Sequence, residues 1–326
     1  MALDEFSVIR EYFQRRVSSD VLGVGDDAAR LPMPPNTELV VCKDLLIEGR
    51  HFFSEVNPET LGHKALAVNL SDLAAMGAEP MGFLLGLGLR QAQPQWLSGF
   101  SQGLLRLAQQ WNCPLLGGDT VRVEGEIVIS VTALGTLPAG EPGLLRSNAR
   151  PGDDIWVSGY LGAAHVALLG LQADRRVSAE RLTTVRDALE TPQPRLLLGQ
   201  ALLGVARAAI DISDGLLQDL GHILKASGCR ARLQYGDLPV DPRLQGLPAE
   251  VCIDAVLTGG DVYELCFTAD VSKRSDIARI SKQLNLPISR VGEMHAGEGL
   301  EIIDAMGSPM TIGQSGFDHF RGHDAQ

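Results

Sequence analysis

The sequence predicts a two-domain α/β protein, and three observations support this prediction. The chain has 326 residues, and a chain of this length usually divides into domains of about 150 residues. In its first half, apolar runs typical of strands alternate with two long helical patterns, which is typical of a sheet covered by helices. A segment rich in proline and glycine, residues 136–152, separates the halves and indicates a boundary. We therefore expect an N-terminal domain over residues 1–140 and a C-terminal domain over residues 150–326.

The composition limits the partners and the compartment. A formal net charge of −12 argues against a nucleic-acid surface and against binding to an anionic membrane, because both need patches of Lys and Arg. The longest apolar run, residues 81–89, is too short to span a bilayer. The five cysteines are scattered without a C-x-x-C pair, and the chain begins without the basic and apolar parts of a signal peptide. These features predict a cytoplasmic protein without disulfides or structural zinc.

The elements of the first half follow from apolar spacing and from residues that start or stop helices. Apolar residues recur at helical spacing within residues 4–16. Asn57-Pro58-Glu59 is a typical helix start, because Asn can cap, Pro fits the first turn and Glu suits its positive end. That helix should run to Met76 and stop at Gly77. The other predicted elements are strands Glu38–Cys42, Pro80–Arg90, Pro114–Leu116 and Glu126–Leu134, which make a sheet of about four strands, and a helix that begins at Pro94.

The second half mixes strands and helices. The apolar residues 195–208 predict a helix, and residues 210–215 predict the end of a strand and the start of a helix over 216–226. Ser213 or Asp214 would cap that helix. The other predicted elements are a small helix between Gly162 and Gly170, a helix near residues 271–284, and strands Asp154–Ser158, Arg230–Gln234, Val256–Leu257, Tyr263–Thr268 and Ile288–Gly292.

Aspartates stand at the ends of several predicted segments. In Gly25-Asp26-Asp27 two carboxylates are adjacent, and they repel each other unless a positive charge lies nearby. Taken alone, this tripeptide fits a solvated surface turn as well as a ligand site. However, the same pattern, an apolar run followed by Asp, recurs at several positions along the chain. The full set of such carboxylates is Asp26, Asp27, Asp44, Asp72, Asp119, Asp211, Asp214 and Asp261.

Oxygen ligands without His or Cys partners predict Mg²⁺ rather than zinc or copper. Several Mg²⁺ ions would neutralise a polyphosphate, and the chemistry that follows is phosphoryl transfer. Neither G-x-x-x-x-G-K-[ST] nor a kinase glycine-rich loop occurs, so a nucleotide enzyme would be of another kind. His51 can orient a phosphate or a metal-bound water, although a lone loop His is more often a surface residue. Arg146 is either solvated or within reach of a ligand at the domain junction.

An ordered set of motifs resembles the bacterial thiamine-monophosphate kinases over essentially the whole length of the chain. The motifs are Gly25-Asp26-Asp27-Ala28, the helix Lys64–Pro80, Leu116-Gly117-Gly118-Asp119-Thr120, Arg146-Ser147 before Pro151-Gly152-Asp153, Asp211-Ile212-Ser213-Asp214-Gly215-Leu216, Tyr263-Glu264-Leu265 and Gly316-Phe317-Asp318-His319-Phe320. The resemblance implies the fold of the aminoimidazole-ribonucleotide-synthetase-like superfamily. Its N-terminal α/β domain pairs its sheet with a twin across a homodimer, and its C-terminal domain is α+β. It also implies direct in-line transfer of the γ-phosphoryl group of ATP to thiamine monophosphate, which yields thiamine diphosphate.

The resemblance also implies roles for individual residues. The implied metal positions, which would hold several Mg²⁺ ions, are Asp27, Cys42, Lys43, Asp44, Asp72, Asp119, Asp211 and Asp214. The implied ATP contacts are Gly118, Asp119, Arg146 and Ser213. The implied contacts to thiamine monophosphate are His51, Asp261 and Phe317, with the ring of Phe317 packed on a thiamine ring. No side chain is needed as acid or base, because the acceptor phosphate is already anionic.

The chain departs from the family pattern at two places. Cys42-Lys43-Asp44 stands where the family has Ser-Thr-Asp, so a hydroxyl ligand is lost and a positive charge is gained. We hypothesise that Lys43, if it points inward, replaces part of the charge of one Mg²⁺ ion; alternatively it points to solvent and only its backbone lies at the site. Asp261-Val262 stands where the family has Glu-Asp, and the shorter Asp261 predicts weaker binding of the acceptor.

Two other functions remain open. One is a different ATP-dependent synthetase of the same superfamily, such as one that acts on a phosphoribosyl substrate. Within it, selenophosphate synthetase is disfavoured because no Cys precedes the Gly-Asp-Asp turn, and a hydrogenase-maturation relative is disfavoured because the sequence ends without a terminal Cys. The other is a non-catalytic nucleotide-binding protein, a kinase scaffold disabled by the changes at residues 42–43 and 261–262.

Overall fold

The computed structural model describes residues 5–15, 17–18, 20–25, 27–304 and 306–310. The chain forms two compact units. The first comprises Met1–Leu73 and Ala78–Pro142, and the second comprises Ala74–Gly77 and Gly143–Gln326. No helix in the described part of the chain is long and apolar enough to cross a membrane.

The first unit is a four-stranded sheet with two long helices, as the sequence predicts. Its elements are α1 (Glu5–Val8), which continues as a π-helical turn over Ile9–Phe13, β1 (Thr37–Ile47), α2 (Pro58–Met76), β2 (Glu79–Leu89), α3 (Pro94–Gln110), β3 (Leu115–Arg122) and β4 (Val128–Pro138). The strand order is β1-β4-β2-β3. Only β2 and β3 pair in parallel among these neighbours, and the other two pairs are antiparallel.

Helix α2 follows its local sequence signals closely. Asn57 Oδ1 accepts a hydrogen bond of 2.9 Å from the backbone N–H of Glu59, as expected for a cap. The helix runs to Met76, and Gly77 follows with a φ of +75°. The predicted start and stop of this helix are confirmed.

Strands β1 and β3 are longer than predicted. The prediction ended the first strand before Lys43 and the third at Leu116. In the structure, Lys43 pairs with Thr132 of β4, and Asp119 pairs with Gly86 of β2. Pairing with a neighbouring strand satisfies the backbone of these polar residues, so they remain within the ladder despite their low strand propensity. The predicted ligands on these strands therefore lie within the sheet and not on loops after it.

The second unit contains a six-stranded sheet and six helices in the described residues. Its elements are β5 (Asp154–Ser158), α4 (Ala163–Leu171), α5 (Ala179–Glu190), α6 (Leu196–Leu202), β6 (Ala208–Asp211), α7 (Leu216–Ser227), β7 (Cys229–Gln234), α8 (Ala249–Leu257), β8 (Leu265–Ala269), α9 (Arg274–Leu284), β9 (Ile288–Ala296) and β10 (Leu300–Ile303). The strand order is β10-β7-β9-β5-β8-β6. β10 pairs with β7 in parallel, and the other pairs are antiparallel.

Two predictions for the second unit are wrong, and two elements were missed. The helix predicted over residues 195–208 ends at Leu202, and Ala208 begins β6. Val256 and Leu257 end helix α8 and do not form a strand. Helix α5 and strand β10 were not predicted at all. Short apolar runs such as residues 255–257 fit a buried helix and a buried strand equally well, so periodicity alone does not separate them.

Candidate active site

A cluster in the first unit joins β1 to α2 through Asn69. This side chain is fully buried. Its Oδ1 accepts a hydrogen bond of 3.1 Å from the backbone N–H of Asp44, and its Nδ2 donates to the carbonyl of Ala65 at 3.2 Å. The carbonyl of Asn69 accepts from the thiol of Cys42 at 3.3 Å. Asn69 therefore fixes the part of β1 that carries Asp44 against the last turns of α2.

Cys42 shows that two carboxylates lie close together here. Burial raises the pKa of its thiol strongly, and the charges of Asp72 and Asp44 raise this pKa further. Asp44 and Asp72 are thus neighbours, one from the strand and one from the helix. A neutral thiol that donates to a carbonyl is a poor ligand for a hard cation such as Mg²⁺. At this position the side chains suited to Mg²⁺ are Asp44 and Asp72, whereas the predicted ligand Cys42 suits it poorly.

The side chain of Lys43 lies on the other face of β1, because successive strand side chains alternate between faces. Its Nζ donates a hydrogen bond to Ser130 Oγ on β4. Lys43 is exposed, whereas Cys42 and Asp44 on either side of it are half-buried. The inward orientation required by the charge-replacement hypothesis is wrong, and only the backbone of Lys43 lies beside the two carboxylates.

The sheet register separates Asp119 from Asp44. Asp44, Val131, Leu85 and Gly118 form one row across the four strands. Asp119 lies in the next row, which begins at Leu45 and faces the other side of the sheet. Asp44 lies on β1 and Asp119 on β3. These strands are three strand spacings apart, so the backbones of the two residues are also separated by about 14 Å. One copy of this unit therefore does not bring Asp119 beside Asp44, and Asp119 itself is exposed.

Two turns of the first unit contain further predicted site residues. Asp27 is exposed and follows Gly25, which has a φ of +128°. His51 is half-buried, and its Nδ1 accepts a hydrogen bond of 2.9 Å from the backbone N–H of Ile47. Because Nδ1 accepts, the proton of a neutral His51 ring lies on Nε2. Asp26, the neighbour of Asp27, lies outside the described residues.

A second carboxylate cluster lies at the end of β6 in the second unit. Asp211 ends the strand and is 5% exposed. Asp219, one turn into α7, accepts hydrogen bonds from the backbone N–H groups of Asp214 at 3.0 Å and Gly215 at 3.1 Å. Burial, followed by the charge of Asp211 and then that of Asp214, raises the pKa of Asp219 to about 8, although the two backbone hydrogen bonds oppose this shift. Three carboxylates, Asp211, Asp214 and Asp219, thus lie close together.

This cluster corrects the predicted helix cap and adds a residue that the sequence reasoning missed. The N-cap residue of α7 is Gly215, and not Ser213 or Asp214 as predicted. Asp219 satisfies the backbone of the turn instead. The available signal was an acidic residue in the first turn of the helix, five positions after Asp214. That position is where a carboxylate is stabilised by the helix dipole.

The predicted acceptor residue Asp261 lies beside the same turn. Its backbone N–H donates to the carbonyl of Ser213 at 2.7 Å. A Cβ on Gly260 would lie 2.5 Å from that carbonyl oxygen, so only glycine allows this close approach. The structure therefore brings Asp211, Ser213, Asp214 and Asp261 together at one end of the second unit's sheet.

Arg146 lies elsewhere in the second unit. Its carbonyl accepts a hydrogen bond of 2.8 Å from Ser227 Oγ at the C-terminal end of α7. The 12 residues of α7 span about 18 Å, and Asp214 precedes the opposite end of this helix. The backbone of Arg146 is therefore not beside Asp214 or Ser213. Phe317 lies outside the described residues.

The donor chemistry of the two clusters fits Mg²⁺. Across the described ranges, no group of three or more His, Cys, Asp or Glu side chains is arranged to hold a metal ion. A Mg²⁺ site, however, usually has one or two carboxylates, with waters and substrate phosphates as the other ligands. Asp44 with Asp72, and Asp211 with Asp214, match that description. The eight predicted metal positions do not form one preformed cluster within either unit.

Comparison with known proteins identifies the family. The model of the family "AIR synthase related protein, N-terminal domain" matches residues 25–137. The thiamine-monophosphate kinase of Salmonella typhimurium is 43% identical over 328 aligned residues, which cover 98% of this chain and 99% of that protein. The chain belongs to the thiamine-monophosphate kinase family. The fold predicted from the motifs, that of the aminoimidazole-ribonucleotide-synthetase-like proteins, is therefore confirmed.

Solved structures of the thiamine-monophosphate kinase family agree with this assignment. The enzyme of Stenotrophomonas maltophilia K279a superposes with a TM-score of 0.82 at 42% identity, and covers 87% of this chain and 92% of its own. AaThiL complexed with AMPPCP and TMP superposes with a TM-score of 0.76 at 28% identity, and covers 91% of this chain and 92% of its own. The family therefore includes a member whose structure holds both ligands.

Proposed function

We propose that this chain is a thiamine-monophosphate kinase that transfers the γ-phosphoryl group of ATP to thiamine monophosphate, with ADP and thiamine diphosphate as products. The observation that carries the proposal is the 43% identity with a thiamine-monophosphate kinase over 98% of the chain. A structural relative at 28% identity holds AMPPCP, an ATP analogue, and TMP. The two carboxylate clusters supply the oxygen ligands that phosphoryl transfer with metal ions requires.

The proposed metal ligands are Asp44 and Asp72 in the first unit and Asp211 and Asp214 in the second. Bound Mg²⁺ would neutralise the charge that develops on the transferred phosphoryl group. Asn69 holds the backbone of Asp44 against α2, and Asp219 holds the backbone of Asp214. These two contacts set the carboxylates in place before a ligand binds. Asp27 and Asp119, both exposed, remain proposed ligands.

The acceptor requires positioning and not activation. Its phosphate is already anionic, so an in-line attack on the γ-phosphorus needs no general base. His51 presents a ring whose Nδ1 is occupied by the N–H of Ile47, and we assign it to donate from Nε2 to an oxygen of the acceptor phosphate. Asp261, whose backbone is bonded to Ser213, is assigned to the thiamine moiety, together with Phe317. Ser213, Gly118 and Arg146 are the proposed contacts to ATP.

We further propose that the chain acts as a homodimer through the outer face of the first unit's sheet. Large apolar side chains lie exposed on this face, at 39–55% of their surface: Leu39, Val41, Leu45, Leu84 and Val121. An apolar face of this kind usually marks an interaction surface. Asp119 lies on the same face, so a partner copy packed there would lie beside this predicted ligand.

Sedimentation of Val41→Glu, with Val271→Glu as a control at an exposed valine of the second unit, tests the interface. A dimeric Val41→Glu would contradict this proposal.

The activity is tested by incubating the protein with Mg-ATP and thiamine monophosphate. We expect thiamine diphosphate and ADP in equal amounts. Asp72→Asn should reduce the rate by at least a hundredfold, and Asp237→Asn, at an exposed aspartate of the second unit, should not change it. Absence of product at saturating acceptor would refute the kinase function. In that case, release of ADP with a phosphoribosyl substrate would favour the related synthetase, and ATP binding without ADP release would favour a non-catalytic protein.

A further inference from the structure

Glu264 is a buried carboxylate whose side-chain partners come from two other segments of the second unit. It is 5% exposed. The guanidinium of Arg195 donates to both of its oxygens, with Nε at 2.7 Å from Oε2. Ser158 Oγ, at the end of β5, also donates to Oε2, and accepts the backbone N–H of Leu265 at 2.9 Å. Glu264 thus joins the end of β5, the start of β8 and the residue that precedes α6.

The backbone at Gly159 leaves room for this carboxylate. Gly159 has a φ of +59°, and a Cβ built on it would lie 1.9 Å from Glu264 Oε1. A side chain at this position would displace the carboxylate from Arg195. The ion pair therefore depends on a glycine in a left-handed conformation, directly after β5.

The segment before Glu264 has an unusual backbone. Asp261 and Tyr263 have φ values of +60° and +56°, in the left-handed region that residues other than glycine seldom adopt. The hydroxyl of Tyr263 lies 3.1 Å from Asp261 Oδ1 and donates to it. A strained conformation of this kind persists only when its surroundings hold it. The next residue, Glu264, is the one held by Arg195 and Ser158.

This strained segment pairs directly with the turn at the end of β6. The N–H groups of Asp261 and Tyr263 donate to the carbonyls of Ser213 at 2.7 Å and Ile212 at 2.8 Å. The N–H of Ile212 in turn donates to the carbonyl of Glu264 at 2.8 Å. A displacement of Glu264 would therefore shift residues 212–213 as well as Asp261.

We propose that Arg195 and Glu264 form a positioning pair that holds residues 261–263 in their strained conformation and so sets Asp261 against Ser213. The proposal rests on the proposed function, in which Asp261 contacts the acceptor and Ser213 contacts ATP. Neither Arg195 nor Glu264 touches a reacting atom in this scheme. Their effect is on the geometry of substrate binding, and it should be greatest for the acceptor, because Asp261 lies within the strained segment.

The chain offers a matched control at the other end of β6. Arg207 pairs with Asp153 at 2.9 Å, and the side chains are 28% and 3% exposed. The corresponding values for Arg195 and Glu264 are 26% and 7%. Arg207 also pairs with the more exposed Asp270 at 2.7 Å. Arg207 directly precedes β6. The strained segment, residues 261–263, lies beside the opposite end of this strand, which is Asp211. Loss of either arginine leaves a buried carboxylate without its main partner, so both variants should lose stability.

The experiment compares Arg195→Met, Arg195→Lys and Arg207→Met with the wild type. Amide hydrogen exchange should be at least tenfold faster in residues 211–214 and 259–264 of Arg195→Met, and unchanged there in Arg207→Met. The KM for thiamine monophosphate should rise at least tenfold in Arg195→Met, with a smaller change in kcat. Arg195→Lys keeps the charge but loses the two-pronged contact, so its values should be intermediate. Arg207→Met should lose thermal stability, as Arg195→Met does, but its KM should equal that of the wild type.

Two results would overturn the positioning role: exchange at residues 211–214 and 259–264 that does not change in Arg195→Met, or an equal rise in KM for Arg195→Met and Arg207→Met. Failure of the proposed function is a separate result. If the wild type makes no thiamine diphosphate and the exchange pattern is as expected, the kinase function is refuted and the positioning of residues 261–263 by Arg195 stands.

Discussion

The crossing of α2 and α3 depends on two glycines, and substitution of one of them should destabilise the first unit. A Cβ on Gly103 would lie 1.8 Å from the carbonyl oxygen of Glu59, and a Cβ on Gly62 would lie 2.0 Å from that of Phe100. Each contact is with backbone, which cannot rotate away as a side chain can. In Gly103→Ala the helices must move apart by about 1.7 Å before the carbon and the oxygen reach ordinary contact at about 3.5 Å.

The net cost can be estimated from two opposing effects. Overpacking of a close interface costs typically 1–3 kcal/mol, and more where backbone must move, so we take about 4 kcal/mol here. Replacing glycine with alanine within a helix stabilises the helix by about 1 kcal/mol, because alanine has the higher helix propensity. We therefore expect Gly103→Ala to lower the free energy of unfolding by about 3 kcal/mol, which corresponds to a fall in Tm of about 6–12 °C. Because α2 carries Asn69 and Asp72, the metal binding proposed for this cluster should weaken too.

The assay is urea unfolding followed by circular dichroism, with Gly221→Ala as the control. Gly221 lies within α7, and a Cβ there would meet no atom within 4 Å, so this variant should gain about 0.5–1 kcal/mol. Gly62→Ala and Gly103→Ala open the same crossing, and the double variant should cost less than the two singles together. Wild-type stability of Gly103→Ala, or equal losses for Gly103→Ala and Gly221→Ala, would refute the reasoning.

Three further predictions concern single side chains. Asp219→Ala leaves two backbone N–H groups without their acceptor and should cost about 2–4 kcal/mol in urea unfolding, whereas Asp219→Asn keeps an acceptor and should cost less; equal losses would count against the hydrogen bonds. Burial lowers the pKa of His165 below its usual value. The wild-type free energy of unfolding should therefore have its full value above about pH 6.5 and fall as the pH drops through the lowered pKa. His165→Gln should lack this component of the pH dependence. In protein treated with EDTA, Cys42 should react with iodoacetamide far more slowly at pH 8 than in urea-unfolded protein, because burial and two carboxylates raise its pKa; fast labelling of the folded protein would contradict this.

Local signals in the sequence were sufficient for the elements that carry their own start and stop residues. Helix α2 begins after Asn57 and ends before Gly77 as predicted, because capping and helix termination involve neighbours in the chain. Strand β5, Asp154–Ser158, also has the predicted bounds. The ends of β1 and β3 were wrong because partner strands, and not local residues, decide where pairing stops. The assignment of residues 256–257 failed for a similar reason, since burial in a helix and burial in a strand have the same short apolar pattern.

The sequence by itself determined the family, through an ordered set of motifs along the whole chain, and it predicted oxygen ligands at recurring positions. Tertiary structure decided which of these residues are neighbours. Asp44 meets Asp72 because β1 packs on α2, whereas Asp119 faces the other side of the sheet, since a shift of one residue in a strand reverses the side chain's direction. Glu264 accepts hydrogen bonds from Arg195 and Ser158 with its side chain and from the N–H of Ile212 with its carbonyl. Such contacts form only when segments distant in sequence fold together.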